Sequence, residues 1–223
     1  MNVVSAKHKG AGLVIWPDKF DNSLFKCELV GAAPVERGRS GTSRKSIDIY
    51  RRASLIKKSK VPLAGNKFHV FLTHEWGVDE NKRDNHSRVK AVNTALQAKG
   101  LVTWFDEDRM TGNIVDQMCK GIDGSACIAV FVSQRYIDKV GGSNANDNCK
   151  KEFSYAAARK GGNVMIPIVM EDRVRNPRQW SGAVGMELGG VLYKDCVSDE
   201  TSKFQAGVDS IYDEVCRIVA TQS

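Results

Sequence analysis

Three apolar runs rich in β-branched residues stand out along the chain: residues 67–73 (KFHVFLT), 126–133 (ACIAVFVS) and 164–169 (VMIPIV). Helix-like text separates them, so they read as parallel strands of one buried sheet. After the first run, Val89, Val92 and Leu96 recur at helical spacing, Ala91, Ala95 and Ala98 widen the stripe, and Gly100 is placed as a stop. This predicts a helix over residues 85–99. Residues 101–105 read as the next strand, followed by a charged loop at 106–112 that closes on glycine, and by a second helix that turns Ile114, Met118 and Ile122 inward. The turn-rich segment 141–148 (GGSNANDN) offers Asp147 or Asn148 as the cap of a helix starting near Cys149. Pro167 marks the third run as an edge or a bulge. Residues 173–188 look irregular, 191–193 supply a short last strand, and Val208, Ile211, Val215 and Ile218 make a closing helix. The order predicts an α/β, flavodoxin-like fold: a five-stranded parallel sheet with helices on both faces. Ligands gather beyond the carboxyl ends of such strands. Residues 74–76, 105–112 and Ser133 onward should therefore border a common cleft.

Charge divides the chain. Residues 1–66 carry 13 Lys+Arg against 5 Asp+Glu, net +8, whereas residues 67–223 carry 20 against 21, net −1. A basic extension over 1–66 and a domain over 67–221 are the expected organisation, and binding to nucleic acid or an acidic membrane surface would have to rest on the extension. Within it, residues 12–16 and 24–30 can form two strands around a turn, either packed on the main domain or left from something larger. Residues 34–60 read as a linker. There Arg51-Arg52-Ala53-Ser54-Leu55 resembles a substrate of basophilic kinases, with a solvated basic linker as the plainer reading. Six cysteines lack any CxxC or Cys/His ligand spacing, so neither a zinc site nor a disulfide framework is indicated. With no apolar leader and no run long enough to span a membrane, the chain reads as soluble and cytoplasmic.

The boxes also match a known family. Phe68-His69-Val70-Phe71-Leu72-Thr73-His74 resembles the first-strand box of Toll/interleukin-1 receptor (TIR) domains, and Asp106 to Gly112 is similar to their BB loop. Ala126 to Ser133 resembles their central strand, Cys149-Lys150-Lys151-Glu152-Phe153 the Trp-Cys-x-x-Glu-Leu element of their third helix, and Ile166-Pro167-Ile168 their Ile/Val-Pro-Ile/Val strand. The likeness covers residues 67–221. Two departures stand out: Asn148 replaces the Trp usual before the Cys, and the aromatic-Trp box of animal receptor TIR domains is absent.

The resemblance implies cleavage of the nicotinamide–ribose bond of NAD+, with NAD+ as substrate and no resident cofactor or metal, in defence or cell-death type signalling through self-association of TIR domains. Loss of nicotinamide leaves an oxocarbenium-like ribose, which needs a fixed carboxylate and a site that excludes bulk water. Glu152 is the candidate catalytic residue; near a helix N-terminus it is expected to stay ionised. His74, Trp76, Phe105, Arg109 and Asn148 are the candidate substrate-binding residues. Trp76 and Phe105 can stack on a flat base, with Trp76 taking the platform that Asn148 does not provide, although Phe105 reads equally as the last core residue of its strand. His74 can meet a phosphate or ribose hydroxyl, or be structural; Arg109 can meet the pyrophosphate, an interface or only solvent. No GxGxxG, P-loop or Ser/His/Asp elbow is present, which disfavours redox and ATPase chemistry. A noncatalytic interaction module is the competing reading, favoured by Asn148.

Overall fold

β1 (Phe68–Thr73) is buried at every position but its first, as a strand covered on both faces must be. In the computed structural model, which describes residues 61–106 and 113–222, β1 pairs in parallel with β2 (Thr103–Trp104) on one side and β3 (Ser125–Val132) on the other. β4 (Met165–Val169) and β5 (Lys194–Asp195) complete an all-parallel sheet in the order β2-β1-β3-β4-β5. The expectations for residues 1–60, including the hairpin and Ser54, and for Arg109 and Gly112 lie outside the described residues.

Alternation along the strands divides the core. Val70 and Leu72 of β1, Cys127, Ala129 and Phe131 of β3, and Ile166 and Ile168 of β4 share one cluster with α1 (Asn85–Ala98) and α6 (Thr201–Ala220). Phe71, then Ile128, Val130 and Val132, then Met165 and Val169 pack on the other face, against α2 (Ile114–Asp123), α3 (Gln134–Gly141), α4 (Asn148–Lys160) and α5 (Gly182–Leu188). Among the described residues, no helix is long and apolar enough to cross a membrane.

The helix starts are set by short polar side chains. Asp84 accepts from Ser87 N at α1, Asn113 from Val115 N at α2, Ser133 from Tyr136 N at α3, and Asp147 from Cys149 N and Lys150 N at α4. Each satisfies amide donors that the first helical turn leaves over. Gly100 ends α1 region backbone at φ 93°, where a side chain would be strained. Gly121 of α2 has another reason: a Cβ there would come within 2.6 Å of the Trp104 indole. That close approach lets Trp104 lie between β1 and α2.

Four expectations need correction. Ile114 does not turn inward; it is exposed at the start of α2, and Met118, Gly121 and Ile122 carry the buried face. The last strand is Lys194–Asp195, not residues 191–193, and Leu192 is 80% exposed. The stretch 173–188 is ordered into two 3-10 turns and α5. Pro167 lies in an inner strand without a bulge, opposite Val130 of β3. Met170 N bonds Val132 O, whereas Val169 O accepts from Cys196 N, so alternate residues of this strand point their backbone groups to opposite sides. Pro167 shares the side of Val169, and β5 pairing begins only at Ile168. Its missing N–H therefore faces a local edge.

The segment before β1 also packs on this core. Val61 and Ala64 contact the α1/α6 side, and Val61 O lies 3.1 Å from His69 Nε2. A chain truncated before residue 65 would lose those contacts.

Candidate functional site

The chain leaves β1 for β2 and then returns past it to β3, so the crevice beyond β1 and β3 is the switch point of the sheet. A cleft of about 480 Å³ opens there. His74 and Trp76 reach it from the end of β1, Trp104 and Asp106 from the end of β2, Ile114, Gln117 and Met118 from α2, Lys139 from α3, and Asn148, Cys149 and Glu152 from α4 with its preceding loop.

Glu152 lies one turn into α4. Its Oε2 accepts a hydrogen bond from Thr73 Oγ1, the last residue of β1, at 2.6 Å, and Thr73 Oγ1 lies 3.1 Å from the Tyr136 hydroxyl. With Glu152 ionised, Tyr136 donates to Thr73 and Thr73 to the carboxylate, because the threonine has one proton to give. Burial holds the Tyr136 hydroxyl well above the usual tyrosine range, so it remains a donor. Burial also pushes Glu152 up to about 8; the Thr73 bond opposes this, and the carboxylates of Asp106 and Asp147 reinforce it. The helix dipole does not keep this carboxyl ionised at neutral pH, because desolvation outweighs it. The expectation from its place near a helix start is thereby overturned. Cys149 beside it is buried, and its thiol is held high by desolvation and by Glu152, so it is no thiolate nucleophile.

An aromatic stack forms the mouth. The Trp76 ring lies 3.9 Å from His86 at 25°, and Phe105 lies 5.2 Å from His86 and 5.5 Å from His74. Trp76 Nε1 donates to Asp106 Oδ2 at 2.9 Å, yet the residue remains 53% exposed. His74 is buried, its Nε2 lying 2.8 Å from His86 Nδ1, and burial together with His86 drives it down to about 3. It is neutral at pH 7 and offers a phosphate no charge.

Two buried carboxylates fix the loops around the cleft. Glu75 accepts from Asn85 Nδ2 at 2.7 Å and Gly77 N at 2.8 Å, with Arg135 Nε at 3.2 Å. Glu171, after β4, accepts from Gln134 N at 2.6 Å, Glu80 N at 2.9 Å and Arg173 Nε at 3.0 Å. These bonds tie the loop after β1 to α1 and α3.

The structure thus brings Glu152, His74, Trp76 and Asn148 to one cleft. Phe105 is fully buried in the α1/α6 core behind the histidines, and the neighbouring Trp104 takes the cleft side. Arg109 lies outside the described residues. Thr73, Tyr136, His86, Trp104, Asp106 and Lys139 were not singled out by the sequence. Of these, Asp106 carried a signal, as the first residue of the charged loop after β2.

A family model described as "TIR domain" matches residues 70–211, from within β1 to the middle of α6. A search of curated proteins finds no match.

Proposed function

This chain belongs to the TIR domain family, a family of signalling domains, and from that premise we propose that it is an NAD+ glycohydrolase acting in defence or cell-death type signalling. The observation that carries this reading is the Glu152 carboxyl, held by Thr73 in a cleft of the size that admits a small ligand. Trp76 offers a flat face at the mouth for a base, and Lys139, whose Nζ lies 3.9 Å from Glu75 Oε2, is the lining cation for a pyrophosphate among the described residues. The C–N bond breaks with its electron pair going to the pyridinium nitrogen, so nicotinamide leaves neutral and the positive charge passes to the ribose. Glu152 faces that charge. Water adds at the ribose carbon and releases a proton, giving ADP-ribose; attack by another ring nitrogen would give a cyclised or exchanged product instead. The five described cysteines are free thiols, which supports a cytoplasmic setting.

The pH dependence follows from Glu152. The ionised form is the one that opposes an oxocarbenium charge, and in the free protein its carboxyl is held near 8. Thus kcat/KM for nicotinamide release should climb about tenfold per pH unit below the break and level off above about 8. A profile that is flat from mildly acidic to alkaline pH would remove Glu152 from this role. Activity should also depend on self-association, with specific activity rising with protein concentration. A constant value over a wide dilution series, from a protein that stays monomeric, would contradict a dependence on self-association.

One observation favours a noncatalytic interaction module: Asn148, exposed on the first turn of α4, puts an amide where the family box has an indole. In that case concentrated protein releases no nicotinamide.

A further inference from the structure

Three side chains with ligand atoms converge at the mouth of the cleft from separate elements. His74 follows β1, His86 lies in the first turn of α1, and Asp106 follows β2; one nitrogen of each imidazole and one carboxylate oxygen all lie within 4.8 Å of one another. The two imidazoles face each other through ring nitrogens, His74 Nε2 and His86 Nδ1. Packing fixes the rings: Trp76 lies on His86, and Phe105 backs both histidines. Asp106 is oriented by the Trp76 indole N–H on Oδ2. Groups that orient ligands in this way accompany most metal centres.

We propose that His74 Nε2, His86 Nδ1 and a carboxylate oxygen of Asp106 form a site for one divalent transition-metal ion of the borderline class, Zn²⁺, Co²⁺ or Ni²⁺. Two imidazoles and one carboxylate suit these ions and leave positions open for water or a further ligand. Magnesium and calcium, which take oxygen donors, fit this set poorly. Imidazole binds metal as the neutral base. With metal–nitrogen bonds of about 2.0–2.1 Å in a tetrahedral arrangement, the two nitrogens would stand roughly 3.3 Å apart. The 2.8 Å contact therefore opens by about half an ångström, a movement left to His86, the less buried of the two. Ligation also requires the proton between the rings to move to the outer nitrogen of whichever ring donates it. A neutral pair consequently releases no net proton.

This proposal stands apart from the NAD+ reading, and its test needs no activity. The full chain is titrated with CoCl₂ and with ZnCl₂ by calorimetry, with visible absorption followed for cobalt, alongside His86→Ala and Asp106→Asn. Asp106→Asn keeps an acceptor for the Trp76 indole while removing the charge, so it tests ligation with little change in packing. The expected result is one equivalent of each metal, cobalt d–d bands without an intense thiolate charge-transfer band, and affinity at least about tenfold weaker in both variants. Should His86→Ala lose its circular dichroism, Asp106→Asn decides alone. No saturable binding, affinity unchanged in Asp106→Asn, or a thiolate band that assigns the metal to cysteine would each overturn the proposal.

Discussion

Glu152→Gln should release nicotinamide from NAD+ at least about a hundredfold more slowly than the unaltered protein, which corresponds to about 2.7 kcal/mol of transition-state stabilisation. The substitution keeps the size and polarity of the side chain. Its amide oxygen can still accept from Thr73, so the loss reports charge rather than position. The same variant should be more stable at alkaline pH. Glu152 titrates near 8 in the folded chain against an ordinary value of 4.5, so between these pH values the folded state holds a proton that the unfolded state has given up. Stability from this group is fully present below pH 4.5 and is lost as pH rises through about 8. Glutamine has no such penalty. Discounted for the water that reaches a half-buried residue, the gain above pH 8 should be on the order of 1–3 kcal/mol. Thermal melts at pH 5 and pH 9 check the sign: the variant and parent should coincide at the lower value and separate at the higher. If they coincide at both, the carboxyl is solvated and the account of its environment is wrong.

Glu171→Ala should lower stability by about 2–4 kcal/mol, which for a domain of this size is a fall in Tm of roughly 5–15 °C. The residue is fully buried and receives two backbone amides and one guanidinium. Removing it leaves the amides of Gln134 and Glu80 without that acceptor inside the protein, and each such orphan costs about 1–3 kcal/mol. Arg173 is partly exposed and can turn to water, which keeps the loss below that of a fully enclosed ion pair. Because Gln134 opens α3 and Glu80 sits in the loop after β1, the variant should also loosen the cleft. Hydrogen exchange should quicken at residues 77–84 and 134–141 before it does in β3. A variant with unchanged Tm would mean that these loops are held elsewhere.

The sheet was legible because its inner strands are long apolar runs whose boundaries depend little on context. α1 and α6 were legible from a repeated apolar stripe. α3 was not: it is one eight-residue element whose buried Tyr136, Ile137 and Val140 make too short a pattern, and its Ser133 cap reads equally as the end of β3. β5 was misplaced because residues 191–193 look more apolar than Lys194–Asp195, yet the pairing uses backbone groups and leaves Leu192 in solvent. At the end of β2 a single-residue step decides which aromatic reaches the cleft: Trp104 closes the strand and Phe105 follows it on the α1/α6 side. Trp104 therefore lines the cleft and Phe105 backs the histidines.

Glu152 was found through its place in a family box, but its protonation was not, because desolvation depends on what the fold stacks over the carboxyl. Thr73, Tyr136 and Glu152 are separated along the chain and meet only once β1, α3 and α4 are assembled. The same is true of His74, His86 and Asp106. Ligand spacing along the sequence could not reveal a cluster drawn from three elements.

The most direct measurement is nicotinamide release from NAD+ by concentrated protein at a pH above 8, followed by chromatography with Glu152→Gln in parallel. The account predicts nicotinamide in step with loss of NAD+ for the unaltered chain, and at least about a hundredfold less for the variant. Release that is equal in both would contradict the role of Glu152, and no release from either would contradict the catalytic reading altogether.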